Sequence, residues 1–270
     1  MHNSDALSHD AVPQIAAAVL DRLRTSTPRV HCITNAVAQN FTANVLLAVG
    51  AVPSMTLSSE EIGAFVSRSN ALLVNLGTFD RERREATVIA VEAAAKDHVP
   101  WVLDPVFVDR SASRASFARD MVVLGPKVAR LNHDEFSALV RSEPTRAAVN
   151  AYARDRNIVV GLSGETDLVT DGARVAMIEN GHPLMAKVTA MGCAASALIA
   201  ACLGVEVDGW RATVAGLLIV GVAGELAAAK SQGPGSFAVA ILDELHTLDG
   251  QTLIAQAHVK LARTDIEKAT

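Results

Sequence analysis

The stretch Val188-Thr189-Ala190-Met191-Gly192-Cys193-Ala194-Ala195-Ser196-Ala197-Leu198 reads as a short turn that opens into a helix of small residues. Gly192 lets the backbone approach whatever occupies the turn. The first amides of such a helix lack internal partners, and with the helix dipole they offer a seat for a phosphate or another oxyanion. Cys193 stands at the helix start, where a thiol pKa is normally lowered. One turn therefore combines an anion seat with a reactive side chain. Taken alone, the spacing fits a buried cysteine before a core helix even better.

The elements that must position this turn follow from periodicity. Residues 11–24 read as an amphipathic helix and residues 30–33 as an apolar strand, with Asn35 placed to cap a helix over 36–49. A strand over 51–57 follows, then Ser58 and Glu61 in capping-box spacing for a helix to residue 67. Further strands are expected at 71–76, 100–103, 127–131 and 158–162, and helices from Asp80 to about 97, from near His133, and over 145–156. Asp171-Gly172 between residues 168–170 and 174–178 is a hairpin signal. The remainder is mostly helical. Buried apolar strands alternating with helices predict an α/β fold of three layers, α/β/α, around a mainly parallel sheet.

In such a sheet ligands bind beyond the carboxyl ends of the strands. The polar residues there are Thr34 and Asn35, Asn75, Gly77 and Thr78, Asp104, Asn132 with Asp134 and Glu135, and Ser163 to Glu165, all on one edge with the Gly192-Cys193 turn. Asp104 and Glu135 are suited to hold a hydrated Mg²⁺ bridging nucleotide phosphates. Individually, Asp-Pro is a common turn former and Asn132 to Glu135 a common helix start; convergence on one edge is what favours a site. No Walker A loop and no Gly-x-Gly-x-x-Gly is present, so a nucleotide must be held another way.

Composition bounds the class. The chain has 270 residues, half of them hydrophobic, so a sizeable core is expected; nothing divides it, and residues 1–270 read as one domain. A net charge of −5 and the lack of a basic stripe argue against nucleic acid as a partner. Cys32, Cys193 and Cys202 have no metal or redox spacing, which fits reduced thiols and a cytoplasmic location. Residues 1–10 are polar and do not form a signal peptide. Residues 188–205 and 212–229 are apolar enough to suggest membrane spans, but they are rich in Ala and Gly, and Glu225 interrupts the second. A closely packed buried pair is expected instead, with no membrane partner.

Several segments together resemble the hydroxyethylthiazole kinase family of the ribokinase-like superfamily, over about residues 29–248. They are His31-Cys32-Ile33-Thr34-Asn35, residues 39–47, residues 50–55, Asn75-Leu76-Gly77-Thr78, Leu103-Asp104-Pro105-Val106, Asn180-Gly181-His182-Pro183-Leu184 and Gly233-Pro234-Gly235-Ser236-Phe237. The resemblance implies ATP-dependent phosphorylation of the hydroxyl of 4-methyl-5-(2-hydroxyethyl)thiazole in thiamin salvage, with ATP and Mg²⁺ as cofactors. It implies that Cys193 occupies the position of the superfamily's usual aspartate base, with the Gly192 turn stabilising the transferred phosphoryl group. It implies Asp104 and Glu135 at the metal, Arg130, Ser163 and Asn132 at ATP, and Met55, Asn35 and Ala190 at the thiazole. It also implies a homotrimer.

The chain departs from the family pattern at three places. The usual Gly-x-Gly-Cys reads Ala190-Met191-Gly192-Cys193, the usual Asp-Pro-Val-Gly reads Asp104-Pro105-Val106-Phe107, and the usual Arg-Gly-Asn reads Arg130-Leu131-Asn132. Each change is expected to add bulk near the phosphate edge. Two alternatives therefore stand beside the kinase: a non-catalytic or altered-substrate binding relative, and a nucleotide-dependent dehydratase, against which Cys193 argues.

Overall fold

Residues 71–75, Ala-Leu-Leu-Val-Asn, are buried at every position, which requires a strand covered on both faces. The computed structural model describes residues 11–262; residues 1–10, the segment read as no signal peptide, lie outside them. The elements run α1 (Ala11–Ser26), β1 (Arg29–Ile33), α2 (Gln39–Ala48), β2 (Val52–Ser54), α3 (Ile62–Ser67), β3 (Ala71–Asn75), α4 (Arg81–Lys96), β4 (Trp101–Asp104), α5 (Ala112–Val123), β5 (Val128–Asn132), α6 (His133–Val140), α7 (Arg146–Arg156), β6 (Val159–Ser163), β7 (Asp167–Thr170), β8 (Val175–Ile178), α8 (Met191–Leu203), α9 (Gly209–Ala229), α10 (Pro234–Thr247), α11 (Gly250–Gln256) and β9 (Val259–Ala262). The strands form one sheet in the order β2-β1-β3-β4-β5-β6-β7-β8-β9. The pairs from β2 to β6 are parallel, and β7, β8 and β9 are joined antiparallel.

Alternate strand residues feed two cores. Ala71, Leu73, Val102 and Val128 pack with α1, α2, α8, α9, α10 and α11. Leu72, Val74, Leu103, Ala129 and Leu131 pack with α3, α4, α5, α6 and α7 on the other face. This is the expected three-layer fold. Asp80 and Thr145 cap α4 and α7 by accepting from the amides of Arg83 and Ala148, as their side chains allow. The two apolar stretches are a buried helix pair. Helix α9 has the length and hydropathy to cross a membrane, yet 78% of its most apolar window is buried in the protein. Gly216 lies against Ile199 of α8, where a Cβ would come 2.9 Å from Ile199 Cγ1.

Three local expectations are corrected, and two elements went unread. Asn35 does not cap α2, which begins at Gln39 after Ala38; its side chain accepts from Val37 N inside the preceding turn. Ser58 and Glu61 form no capping box, because the Glu61 carboxylate accepts from the Thr56 hydroxyl instead. The second strand is only Val52–Ser54, since the chain leaves the sheet edge there. Helix α5 and strand β9 carried no clear signal: α5 buries mainly Ala115, Ala118, Met121 and Val122 amid Ser and Arg, and β9 has four residues.

Candidate active site

Counting by twos along β3, β4 and β5 explains which polar residues meet. Asn75, Asp104 and Arg130 share the strand parity of Leu73, Val102 and Val128, so they face α8; Leu131 has the opposite parity. Asn75 and Asp104 are also register partners. Asn75 Nδ2 donates to Asp104 Oδ2 at 2.6 Å, and Ser196 Oγ of α8 donates to the same oxygen at 2.8 Å. The hydroxyl of Ser196 also lies 3.2 Å from the Gly192 carbonyl, which ties the carboxylate to the start of α8. Asp104 Oδ1 is buried without a partner. Burial pushes the Asp104 carboxyl up to about 6, with the Glu135 charge adding to it and Arg130, Ser196 and Asn75 opposing it.

The start of α8 is open. Its cap, Ala190, makes no side-chain hydrogen bond, and Ala194 N is bonded to Ala190 O at 2.8 Å. The amides of Met191, Gly192 and Cys193 precede that bond and have no carbonyl partner within the helix, which is the arrangement that receives anions. Ala190 holds φ at 73°, in the left-handed region. The tight backbone position is therefore Ala190, and Gly192 is the second residue of the helix. Its missing side chain serves Arg130: a Cβ there would lie 3.0 Å from Arg130 Nη1. Arg130 Nε is buried and unpartnered, so a guanidinium without a full set of acceptors faces the open amides.

Cys193 is not an activated thiol. Burial pushes its pKa up to about 12 and the Asp104 charge adds to this, against a hydrogen bond from Asn75 and the charge of Arg130. The sequence expectation of a lowered value is thus reversed. A helix dipole contributes about 0.3–1 kcal/mol, whereas a rise of this size corresponds to about 4 kcal/mol, so desolvation prevails.

The other expected residues are placed as follows. Glu135 is buried; Oε1 accepts from Phe107 N at 3.1 Å and Oε2 from Asn132 N at 2.9 Å, and burial raises its pKa. Asn132 completes a capping box by accepting from Glu135 N, so its side-chain oxygen is committed to α6. Ser163 is half-buried at the end of β6, its hydroxyl 3.4 Å from Leu131 O. Met55 is half-buried against the core that contains Met191 and Ala194. Asn35 is tied to the loop after β3, accepting from Thr78 Oγ1 at 3.1 Å. Phe107 is half-exposed with φ at 61°. Leu131 adds no bulk to this edge, because it is fully buried in the opposite core.

Ser196 and Asp167 had not been singled out. Ser196 falls one turn beyond Gly192 on α8, a spacing that could have flagged it. Asp167 accepts from Gly164 N at 3.0 Å and feels the Arg130 charge, but it opens a hairpin strand and reads as a turn residue in the sequence.

Open amides, an unsatisfied arginine and buried carboxylates at strand ends suit phosphoryl transfer. Residues 20–251 match the Hydroxyethylthiazole kinase family. The chain belongs to that family. A probable hydroxyethylthiazole kinase of Agrobacterium fabrum is 42% identical over 91% of this chain and 94% of its own length. The structure of a hydroxyethylthiazole kinase protein from Pyrococcus horikoshii matches with a TM-score of 0.89 and 34% identity, over 93% of this chain and 100% of that one. A ribokinase-like superfamily protein from Enterococcus faecalis, 12% identical with a TM-score of 0.67 over 93% of this chain and 92% of its own, shares the fold. The fold is thus ribokinase-like and the protein is a kinase, which uses ATP; the dehydratase alternative falls away.

Proposed function

We propose that the protein transfers the γ-phosphoryl group of ATP to the primary hydroxyl of 4-methyl-5-(2-hydroxyethyl)thiazole, a step of thiamin salvage. The single observation that carries this reading is the open start of α8 opposite Arg130, in a chain of this family. A bond forms between the alcohol oxygen and Pγ, the bond from Pγ to the β–γ bridging oxygen breaks, ADP leaves and the hydroxyl proton passes to solvent. The amides of Met191, Gly192 and Cys193 and the Arg130 guanidinium stabilise charge on the phosphoryl oxygens. The transition state of such a transfer is loose and the nucleophile loses its proton late, so a protonated Cys193 thiol suffices as a positioning group. Ala190, Met55 and Asn35 shape the thiazole pocket, and Ser163 and Asn132 border the nucleotide.

The residues present fit a hydrated Mg²⁺ held chiefly by phosphates. The described residues contain no cluster of three or more acidic, His or Cys ligands that would form an all-protein cage, while Asp104 Oδ1 is buried without a donor. Asp104, and Glu135 through water, would hold it. When bound, Mg²⁺ supplies charge neutralisation at the phosphates.

A homotrimer in the cytoplasm completes the reading. Val37, Leu47, Val52 and Phe65 are exposed around the edge strand β2 and its neighbouring helices, and Val52 and Phe65 line a groove of about 470 Å³ there. A coupled ADP-release assay over a panel of hydroxyethyl heterocycles tests the chemistry. Turnover with the thiazole alcohol is expected, and none with any alcohol would leave the non-catalytic reading. Light scattering tests the assembly, with a monomer at micromolar concentration as the contrary result.

A further inference from the structure

The loop after β3 is held between two layers. On its inner side Gly77 lies flat against Asn35: a Cβ on Gly77 would come 2.6 Å from Asn35 Nδ2. Thr78 Oγ1 donates to Asn35 Oδ1 at 3.1 Å and accepts from Ala36 N at 3.0 Å, and Gly77 N donates to Asn75 Oδ1 at 2.9 Å. The loop is thus the backing of Asn35 and also touches the residue that binds Asp104. On its outer side stands Arg114, in the first turn of α5. Its Nη1 donates to Gly77 O at 3.1 Å, and its guanidinium lies 5.0 Å from the centre of the Phe79 ring. Phe79 is packed edge-on against Phe117 of α5 at 5.4 Å and flanked by Arg84 at 5.2 Å.

Arg114 is an unfavourable residue in itself. It is a cation near a helix N-terminus, where the dipole repels it. It forms no ion pair among the described residues, its Nε is buried without an acceptor, and burial lowers its pKa. The group it does satisfy is the Gly77 carbonyl, and the ring it covers belongs to the same loop. We infer that Arg114 is a positioning residue for the alcohol pocket: through Gly77 and Phe79 it presses the loop onto Asn35 and so fixes the wall against which the substrate's heterocycle lies. This rests on the kinase reading and on the placement of Asn35 in the thiazole pocket.

The consequence is a selective kinetic effect. Arg114→Ala should raise KM for the thiazole alcohol about tenfold, the equivalent of one hydrogen bond of about 1.4 kcal/mol, with KM for ATP nearly unchanged. Arg114→Lys should recover part of the loss, because it keeps a donor for Gly77 O but not the planar stack on Phe79. Phe79→Leu keeps the hydrogen bond, should fall between the two, and remains informative where Arg114→Ala does not fold. Amide exchange at residues 77–79 should be faster in Arg114→Ala while residues 191–194 keep their rates. An unchanged KM for the alcohol in a folded variant, or equal changes in both KM values, would overturn the inference, as would unaltered exchange at 77–79. Lack of turnover by the unmodified protein would instead count against the kinase reading, and exchange would still decide the role of Arg114.

Discussion

Helices α8 and α9 are neighbours with nearly the same composition, both buried and rich in Ala and Leu, yet they begin in opposite ways. Asp208 closes α9: its Oδ1 accepts from Trp210 N at 3.0 Å and Arg211 N at 3.2 Å, and its carboxylate also takes both terminal nitrogens of Arg174. Nothing closes α8. Its cap residue is an alanine in the left-handed region, and an arginine with an unpartnered nitrogen stands where an anion would bind. Buried helix ends are normally satisfied, so an uncapped one beside a cation with an unpartnered nitrogen is the basis for proposing an anion site there. On the proposed function, one helix start serves stability and the other serves chemistry.

The strongest test of that division is Asp104→Asn. At the α8 start it should lower kcat by about 100-fold through lost charge organisation at the phosphates, yet stabilise the metal-free protein at pH 8. The sign follows from linkage. The folded-state carboxyl titrates at about 6 and the unfolded one near 3.8, so the folded protein binds the proton more tightly. Stability from this group is complete below the unfolded value and is lost as pH rises through the folded one. Removing the charge should return about 3 kcal/mol at pH 8, an order-of-magnitude figure, and little at pH 3.5. Thermal midpoints in EDTA at the two pH values measure it; a lower midpoint at pH 8 would show Asp104 to be a structural anchor. At the other helix start the expected result is the reverse: Asp208→Ala should cost about 2 kcal/mol in a urea titration and leave kcat unchanged. A fall in kcat without loss of stability would erase the contrast between the helices.

The same contrast shows what could be read in the sequence. The sheet is written in its apolar runs, so the layers and most elements were legible, but the second apolar stretch was read only from residue 212 and its Asp208 cap was passed over. The edge residues Asn75 and Asp104 were legible because strand ends place them together, whereas Arg130 was reached only through the family resemblance. The ionisation of Cys193 was not, because a local rule about helix starts omits the neighbouring Asp104 and the burial that reverse it. The side of Leu131 was misjudged although it was read within a strand: the expectation of added bulk at the phosphate edge did not apply alternation, which sends Leu131 to the other core. Arg114 acquires meaning only from a contact across 37 residues, which spacing does not reveal, while Ser196 was within reach of helical spacing from Gly192 but its bond to Asp104 spans 92 residues.

A smaller effect is expected at Ala190. Six non-glycine residues have positive φ among those described, and four of them, Thr27, His98, Arg141 and Asn157, follow helix ends, where a left-handed residue is ordinary. The other two are Ala190 and Phe107, both at the candidate phosphate edge and both at positions where the family pattern has glycine. A residue with a Cβ in this left-handed conformation stores about 1 kcal/mol at each position. Ala190→Gly should therefore raise stability by about 1 kcal/mol, offset in part by the entropy of a more flexible unfolded chain. It should also increase kcat/KM for the thiazole alcohol if the methyl crowds the pocket. A destabilised Ala190→Gly would mean that the left-handed turn is unstrained.

The smallest effect is expected from Cys193→Ser. With its pKa near 12 the thiol is neutral throughout the working range and interacts with Asn75 as a small polar group, a role a hydroxyl can assume. Kinetics of the serine variant should stay within about threefold of the unmodified protein, and neither pH–rate profile should show a limb near 8.5, the ordinary thiol range. Alkylation by iodoacetamide at pH 8 should be slow for the same reason, since the thiolate is the nucleophile. A limb near 8.5 that vanishes in Cys193→Ser would restore the thiolate to the mechanism. It would also mean that the open amides of α8 depress the thiol more than burial and Asp104 raise it, making the start of this helix a stronger electrostatic element than its geometry indicates.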